Sequence, residues 1–280
     1  MDKGTTELVD LLVLLGMGAV LPLGLALIDE PGLARIRRLW PLAAVLGALS
    51  LWLPRGALAT GPAVVHALGT LAIALHAPLR LARTRSLAPA EVAVLTALAT
   101  PSVAGVALAA ERSDYPLFGF EPHVLALTVP HFHYAGFTAA LVAGLVCRAD
   151  PASRPARCAA LSVPAGTLLV LAGYFLGNWW QFAGAVVLTT GMWLVGLVSW
   201  RELRPRAGDA ATARLLAASS AVPALTMLLA LWWAFGRAAG LPHPTLAWMA
   251  ATHGLGNALG FALCALLAWR RINTAAQIAR

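Results

Sequence analysis

Two short stretches hold most of the side chains able to do chemistry. PHFHYAGF, residues 130–137, carries His131, His133 and Tyr134, and ATHGLGNALGF, residues 251–261, carries His253 and Asn257. Imidazole takes up and returns a proton near neutral pH, and it also ligates haem iron and transition metals. The candidate catalytic set is therefore His131, His133 and His253 as acid–base groups, with Asn257 and Tyr134 to orient or polarise a substrate. His133 and His253 are the metal-ligand candidates.

Spacing divides the work. Residues two apart on a regular α-helix point about 200° apart. His131 and His133 thus serve different partners unless the helix is distorted, and Pro130 is a local cause of distortion. Tyr134 shares a face with His131, and Asn257 shares one with His253. His133 is taken as the ring that faces the pocket. Gly256 and Gly260 form a GxxxG pair that permits close helix approach. The arrangement expected is one polar pocket between the two motifs, with His131 kept for packing.

The elements that must position these groups are membrane helices. Of 280 residues, 60% are hydrophobic and 11% charged, against roughly 25% charged in soluble domains. The expected fold class is all-α, a polytopic transmembrane bundle forming one domain over residues 1–280. Nine apolar runs are candidate spans: 7–28, 39–54, 61–82, 89–110, 122–147, 158–177, 178–200, 213–236 and 244–269. They are continuous rather than alternating, which selects helices over a barrel. The second is shorter than the roughly 17–25 residues a span uses.

Charge orients the bundle. Of 20 basic residues, sixteen follow odd-numbered spans, from Arg35 to Arg280, and only Lys3, Arg55, Arg112 and Arg237 lie on the other side. The positive-inside rule then puts the N-terminus outside and the C-terminus inside. The basic excess is spread over short loops that meet anionic lipid, so a nucleic-acid partner is not expected. In this frame His131 and His253 both lie about 14 Å in from the outer ends of their spans, and His66 about 8 Å. Ionisable residues at such depth are costly and mark interior or wet sites. His76 reads as structural. The segment after residue 110, with Glu111, Asp114 and Glu121, reads as a solvated acidic loop. Residues before the first span lack a basic leader, so no cleaved signal is expected. Cys147, Cys158 and Cys264 fall toward inner span ends and should be free thiols.

The two motifs together resemble the YndJ-like family of bacterial membrane proteins, over most of the chain. That resemblance implies architecture rather than a known activity, and a place in the bacterial plasma membrane. Locally, HFHY is similar to haem-copper oxidase subunit I, where two such histidines reach two haems. By that resemblance alone His131 and His133 become axial-ligand candidates, and haem or a transition metal a candidate cofactor. The twelve spans, further histidine motifs and copper site of that family have no counterpart here.

No P-loop, dinucleotide fingerprint, HExxH or GxSxG motif occurs. Carboxylates are nearly absent from span centres, which disfavours carboxylate-coupled transport and glutamate-rich di-iron chemistry. Three function classes remain. The first is an enzyme doing acid–base or metal-assisted chemistry on a lipophilic small molecule. The second is a haem- or metal-binding redox protein. The third is a proton-coupled transporter or sensor.

Overall fold

The computed structural model describes residues 2–278, so Arg280, counted among the inner arginines, lies outside the described residues. All regular structure among them is helical. Nine long helices follow in order: α1 Lys3–Leu25, α2 Leu33–Trp52, α3 Ala57–Thr84, α4 Pro89–Arg112, α5 Pro122–Ala149, α6 Arg154–Leu176, α7 Asn178–Arg206, α8 Ala210–Ala239 and α9 Leu246–Ala275. Local chemistry starts several of them. Asp2, Ser153, Asp209 and Thr245 each accept a backbone N–H of the first turn they precede, satisfying donors a helix start leaves open.

Eight of the nine are long and apolar enough to cross a membrane, which makes this a multi-pass membrane protein in contact with lipid. The exception is α2, which contains the short run expected at 39–54. It begins at Leu33, and every 18-residue stretch within it includes Arg35, Arg37 and Arg38. It nevertheless shows an exposed apolar stripe of Leu39, Leu42, Val45, Leu49 and Trp52, opposite buried Trp40, Ala43, Gly47 and Ser50. That is a face for lipid and a face for neighbours.

Contacts gather into two compact units. The first takes in 2–86 and Val94–Thr138; the second takes in Leu87–Ala93 and 139–278. In the first unit α3 packs on α2 and α4. In the second, α6 and α7 form a close hairpin. Gly166 abuts the Leu188 backbone, Gly173 abuts Gln181, and Gly184 abuts Val170, each so tightly that a Cβ would overlap its neighbour. Small residues let membrane helices approach in this way. Cys147, Cys158 and Cys264 are all free.

Of the segment after residue 110, Asp114 and Glu121 are exposed as a solvated loop requires, while its first two residues depart from that expectation. Glu111 and Arg112 still belong to α4 and are 2% and 8% exposed. Glu111 is bonded to Arg112 and takes Arg55 at 2.8 Å, while Arg112 also reaches the Ser50 and Leu51 carbonyls. The Glu111 carboxylate is thus spent on an ion cluster that ties the α2–α3 turn to α4. Glu30 likewise accepts Arg80 at 3.0 Å and Arg83 at 2.5 Å, with His76 beside it at 4.0 Å. Arg80, read as an inner-loop cation, is thus a buried member of a pair.

Candidate functional site

Both motifs fold into widened, π-helical turns. Residues 132–138 of α5 are π-helical, as are 250–254 and 257–263 of α9 and 16–20 of α1. Such turns are rare and concentrate at functional sites. They overturn the premise of a regular helix through His131 and His133. Pro130 precedes the widened stretch in α5, and the Thr138 hydroxyl donates to the His133 carbonyl five residues back at 2.9 Å, as a wide turn allows.

In the first unit, His133 is wholly buried and its ring lies against Gly16 of α1, where any Cβ would overlap it. His66 of α3 is equally buried and is seated on Gly47 of α2 in the same manner. The two imidazoles are edge to face, with ring centres 6.4 Å apart and planes at 79°. His66 Nδ1 donates to the Ala43 carbonyl at 3.1 Å, so Nδ1 carries the proton and Nε2 presents a lone pair. Trp40 packs edge-on to His66 at 5.4 Å and is held by its own Nε1–H donating to the Met17 carbonyl at 2.8 Å. His66 Nε2 and both ring nitrogens of His133 have no hydrogen-bond partner among the described residues. Buried polar atoms left this way are costly, by about 1–3 kcal/mol each.

The other α5 candidates are placed differently from expectation. Tyr134 does not use its hydroxyl on its own helix face; it donates to the Leu12 carbonyl of α1 at 2.7 Å. His131 is half-buried, with its ring edge-on to Phe132 at 5.6 Å. His133 has no slot for a macrocycle on its Gly16 side, so the packing lends no support to a haem axial role there.

In the second unit, His253 and Asn257 are neighbours as their spacing required, and they share a third member, Thr226 of α8. His253 Nδ1 donates to the Thr226 carbonyl at 2.8 Å. The Thr226 hydroxyl reaches Asn257 Oδ1 at 2.8 Å, and the Asn257 amide nitrogen stands 3.5 Å from His253 Nε2. Both residues are half-buried. The glycine notch beside them receives α8: a Cβ at Gly260 would press on Val222, and one at Gly256 would meet Thr226. The close approach that the GxxxG spacing permits is thus made with α8.

His131, His133 and Tyr134 thus lie in the first unit, and His253 and Asn257 in the second. Sequence reasoning passed over Gly16, Gly47 and Thr226. His66 was visible as a fourth histidine at depth, but its partner is set by helix packing. No group of three or more histidine, cysteine, aspartate or glutamate side chains placed to hold a metal ion occurs among the described residues.

No curated protein and no solved structure matches the chain. Residues 11–261 match the family described as YndJ-like protein, a stretch that runs from α1 through both histidine motifs. The chain belongs to the YndJ-like family.

Proposed function

We propose that this protein is an enzyme of the bacterial plasma membrane that performs acid–base chemistry on a lipophilic small molecule, with His253 as the proton acceptor and Asn257 as the polar group that holds the substrate. The observation that carries this reading is the fixed tautomer of His253. Its Nδ1–H is committed to the Thr226 carbonyl at 2.8 Å, which leaves Nε2 with a lone pair, as a general base requires. The Thr226 hydroxyl stands 2.8 Å from Asn257 Oδ1 and 3.0 Å from the Val222 carbonyl, and the Asn257 amide nitrogen lies 3.3 and 3.5 Å from the two His253 ring nitrogens, which keeps the carboxamide at the imidazole edge. Both side chains are half-buried on a membrane helix, within reach of a ligand that enters from lipid. The α5 histidine His133 is closed in and the Tyr134 hydroxyl is bonded to Leu12, which moves the weight of the proposal to α9.

The orientation kept with this reading is N-terminus outside and C-terminus inside. It is supported by the distribution of arginines and by the lipid-facing stripe of α2, which suits a ninth crossing.

The test is a comparison of products. Lipid extract is incubated with the purified full chain, or with His253→Ala or Asn257→Ala, and analysed by mass spectrometry. Species consumed by the unaltered protein should persist with His253→Ala, as loss of a positioned acid–base group slows a reaction by about 10²–10⁴-fold. Identical extracts after all three incubations would refute the reading.

A further inference from the structure

We infer that the cleft where α8 gives way to α9 binds the headgroup of an aminophospholipid, a phosphate joined to a primary ammonium. Trp232, Pro242, His243, Pro244 and Trp248 line a cleft of about 260 Å³ there, within the second unit. That is room for one headgroup, below the roughly 300–1,000 Å³ of a site for a drug-sized ligand. The cleft falls where two spans end, the level at which tryptophan meets lipid headgroups. This site extends the acid–base reading, on which it rests for the fate of the bound lipid: Trp248 precedes His253 on α9 by roughly 7 Å of helix.

The walls of the cleft are held in place. Trp232 and Trp248 are about half exposed, with ring centres 6.4 Å apart and planes at 71°, so the two indoles form a corner. An interfacial tryptophan ordinarily keeps its N–H for headgroups and water. Trp232 instead donates its Nε1–H to the Pro242 carbonyl at 3.1 Å, which fixes the ring and leaves its π face to a ligand. The connecting turn is closed on α8. The Leu241 N–H donates to the Gly236 carbonyl at 2.8 Å, Gly240 takes a φ of 68°, and a Cβ at Gly236 would overlap the His243 side chain. A ligand therefore meets a surface that needs little ordering on binding.

Each part of the headgroup has a counterpart. Indole faces attract a cation, most strongly where water is partly excluded. His243 Nδ1 donates to the Pro244 carbonyl at 3.0 Å, so Nε2 keeps a lone pair for an ammonium N–H. A quaternary ammonium has no N–H to give it. The phosphate falls to Arg237. Its guanidinium lies 4.9 Å over the Trp233 ring, which is itself edge-on to His243, so one ring separates the guanidinium from the cleft wall. Arg237 is exposed and forms no ion pair among the described residues. Its planar fork matches phosphate oxygens. No carboxylate lines the cleft. A bare cation would meet Arg237 uncompensated, whereas a zwitterion brings that arginine its anion.

The experiment is native mass spectrometry of the purified full chain in detergent, offered equal amounts of phosphatidylethanolamine, phosphatidylcholine and phosphatidylglycerol with the same acyl chains. One phosphatidylethanolamine per chain is expected, retained at least about threefold over either competitor. Trp248→Ala and Arg237→Gln should each weaken its retention by about 3–30-fold, as loss of a cation–π or charged contact does. Trp200→Ala, which removes an exposed indole carrying Arg204 toward the C-terminal end of α7, should change nothing. Equal retention of the three lipids by the unaltered protein would make the cleft part of a general aromatic belt and overturn the proposal, whether or not a variant folds. So would a preference for phosphatidylcholine, which has no N–H for His243, or unchanged retention by both Trp248→Ala and Arg237→Gln. His253→Ala should keep the lipid and lose its conversion. Headgroup preference without any conversion defeats the acid–base reading alone, and His253-dependent conversion without headgroup preference defeats the cleft alone.

Discussion

The Tyr134 hydroxyl of α5 donates to the Leu12 carbonyl of α1 at 2.7 Å, across 122 positions of sequence. It bonds to backbone just ahead of the widened turn at 16–20, where the Gly16 N–H shares the same carbonyl. The bond therefore pins two irregular helices together beside the His66–His133 pair. Tyr134→Phe keeps the ring and removes only this link. It should lower stability by about 0.5–1.5 kcal/mol, the usual net worth of one hydrogen bond, read by thermal unfolding in detergent.

Glycine replacements should sort by what each glycine touches. Gly16→Ala and Gly47→Ala drive a methyl into the rings of His133 and His66. Overpacking of this kind costs about 1–3 kcal/mol. Gly18→Ala, one turn segment away with nothing within 4 Å, should be neutral or gain up to about 1 kcal/mol from helix propensity. Equal melting points for the Gly16 and Gly18 variants would contradict the close seat described for His133.

The two kinds of ion pair should differ as sharply. Glu111→Ala strands Arg112 in a nearly closed site, and breaking a buried pair from one side costs about 3–5 kcal/mol. Glu7→Ala removes a partner from Lys3 in an exposed pair on α1, which should shift stability by less than about 1 kcal/mol. Parallel melts of the two variants make the comparison.

Acid should act through the cap of α8. Asp209 lies outside the spans and has its carboxyl pulled from 3.8 down to about 2, by the Thr212 hydroxyl first, then the Thr212 N–H, with Arg271 adding to these. A carboxyl with a lowered folded-state value contributes stability that is present above 3.8 and disappears as pH falls through about 2. The difference in melting temperature between the unaltered chain and Asp209→Ala should be constant from neutral pH to about pH 4 and should shrink below it. A gap that widens on acidification would reverse the sign and refute the account.

Crossing number can be read with reporters. If α2 spans, fusions after Arg85 and after Arg206 report inside, and a fusion at Asp114 reports outside. If α2 lies on one surface, α3 through α9 run in the opposite sense and every one of these signals inverts for the same N-terminus.

Much of this architecture is legible in the chain because burial in lipid imposes long apolar runs that the eye can count. Eight spans follow from that alone. The site is legible only in part. His253 and Asn257 are joined by their spacing on one helix, so the sequence shows them together. The third member, Thr226, comes from α8, and no local pattern in ASSAVPALTM marks it. His131 and His133 invite a 200° argument that assumes 3.6 residues per turn, and the widened stretch after Pro130 breaks that assumption. Glu111 and Arg112 look like the end of a span because charge usually means solvent. Here each is the other's reason for being buried. His66 was visible as a residue but not as a partner, since Gly47, Trp40 and His133 become its neighbourhood only when α2, α3 and α5 meet.

The wide turns of α9 also set how far the helix reaches. Thirty residues wound throughout as α-helix would extend about 45 Å, while the hydrocarbon core is about 30 Å thick. Each π-helical stretch spends residues on girth instead of rise. The same winding that carries His253 and Asn257 therefore trims the excess of α9 over the bilayer, and bilayer thickness becomes a mechanical load on those turns.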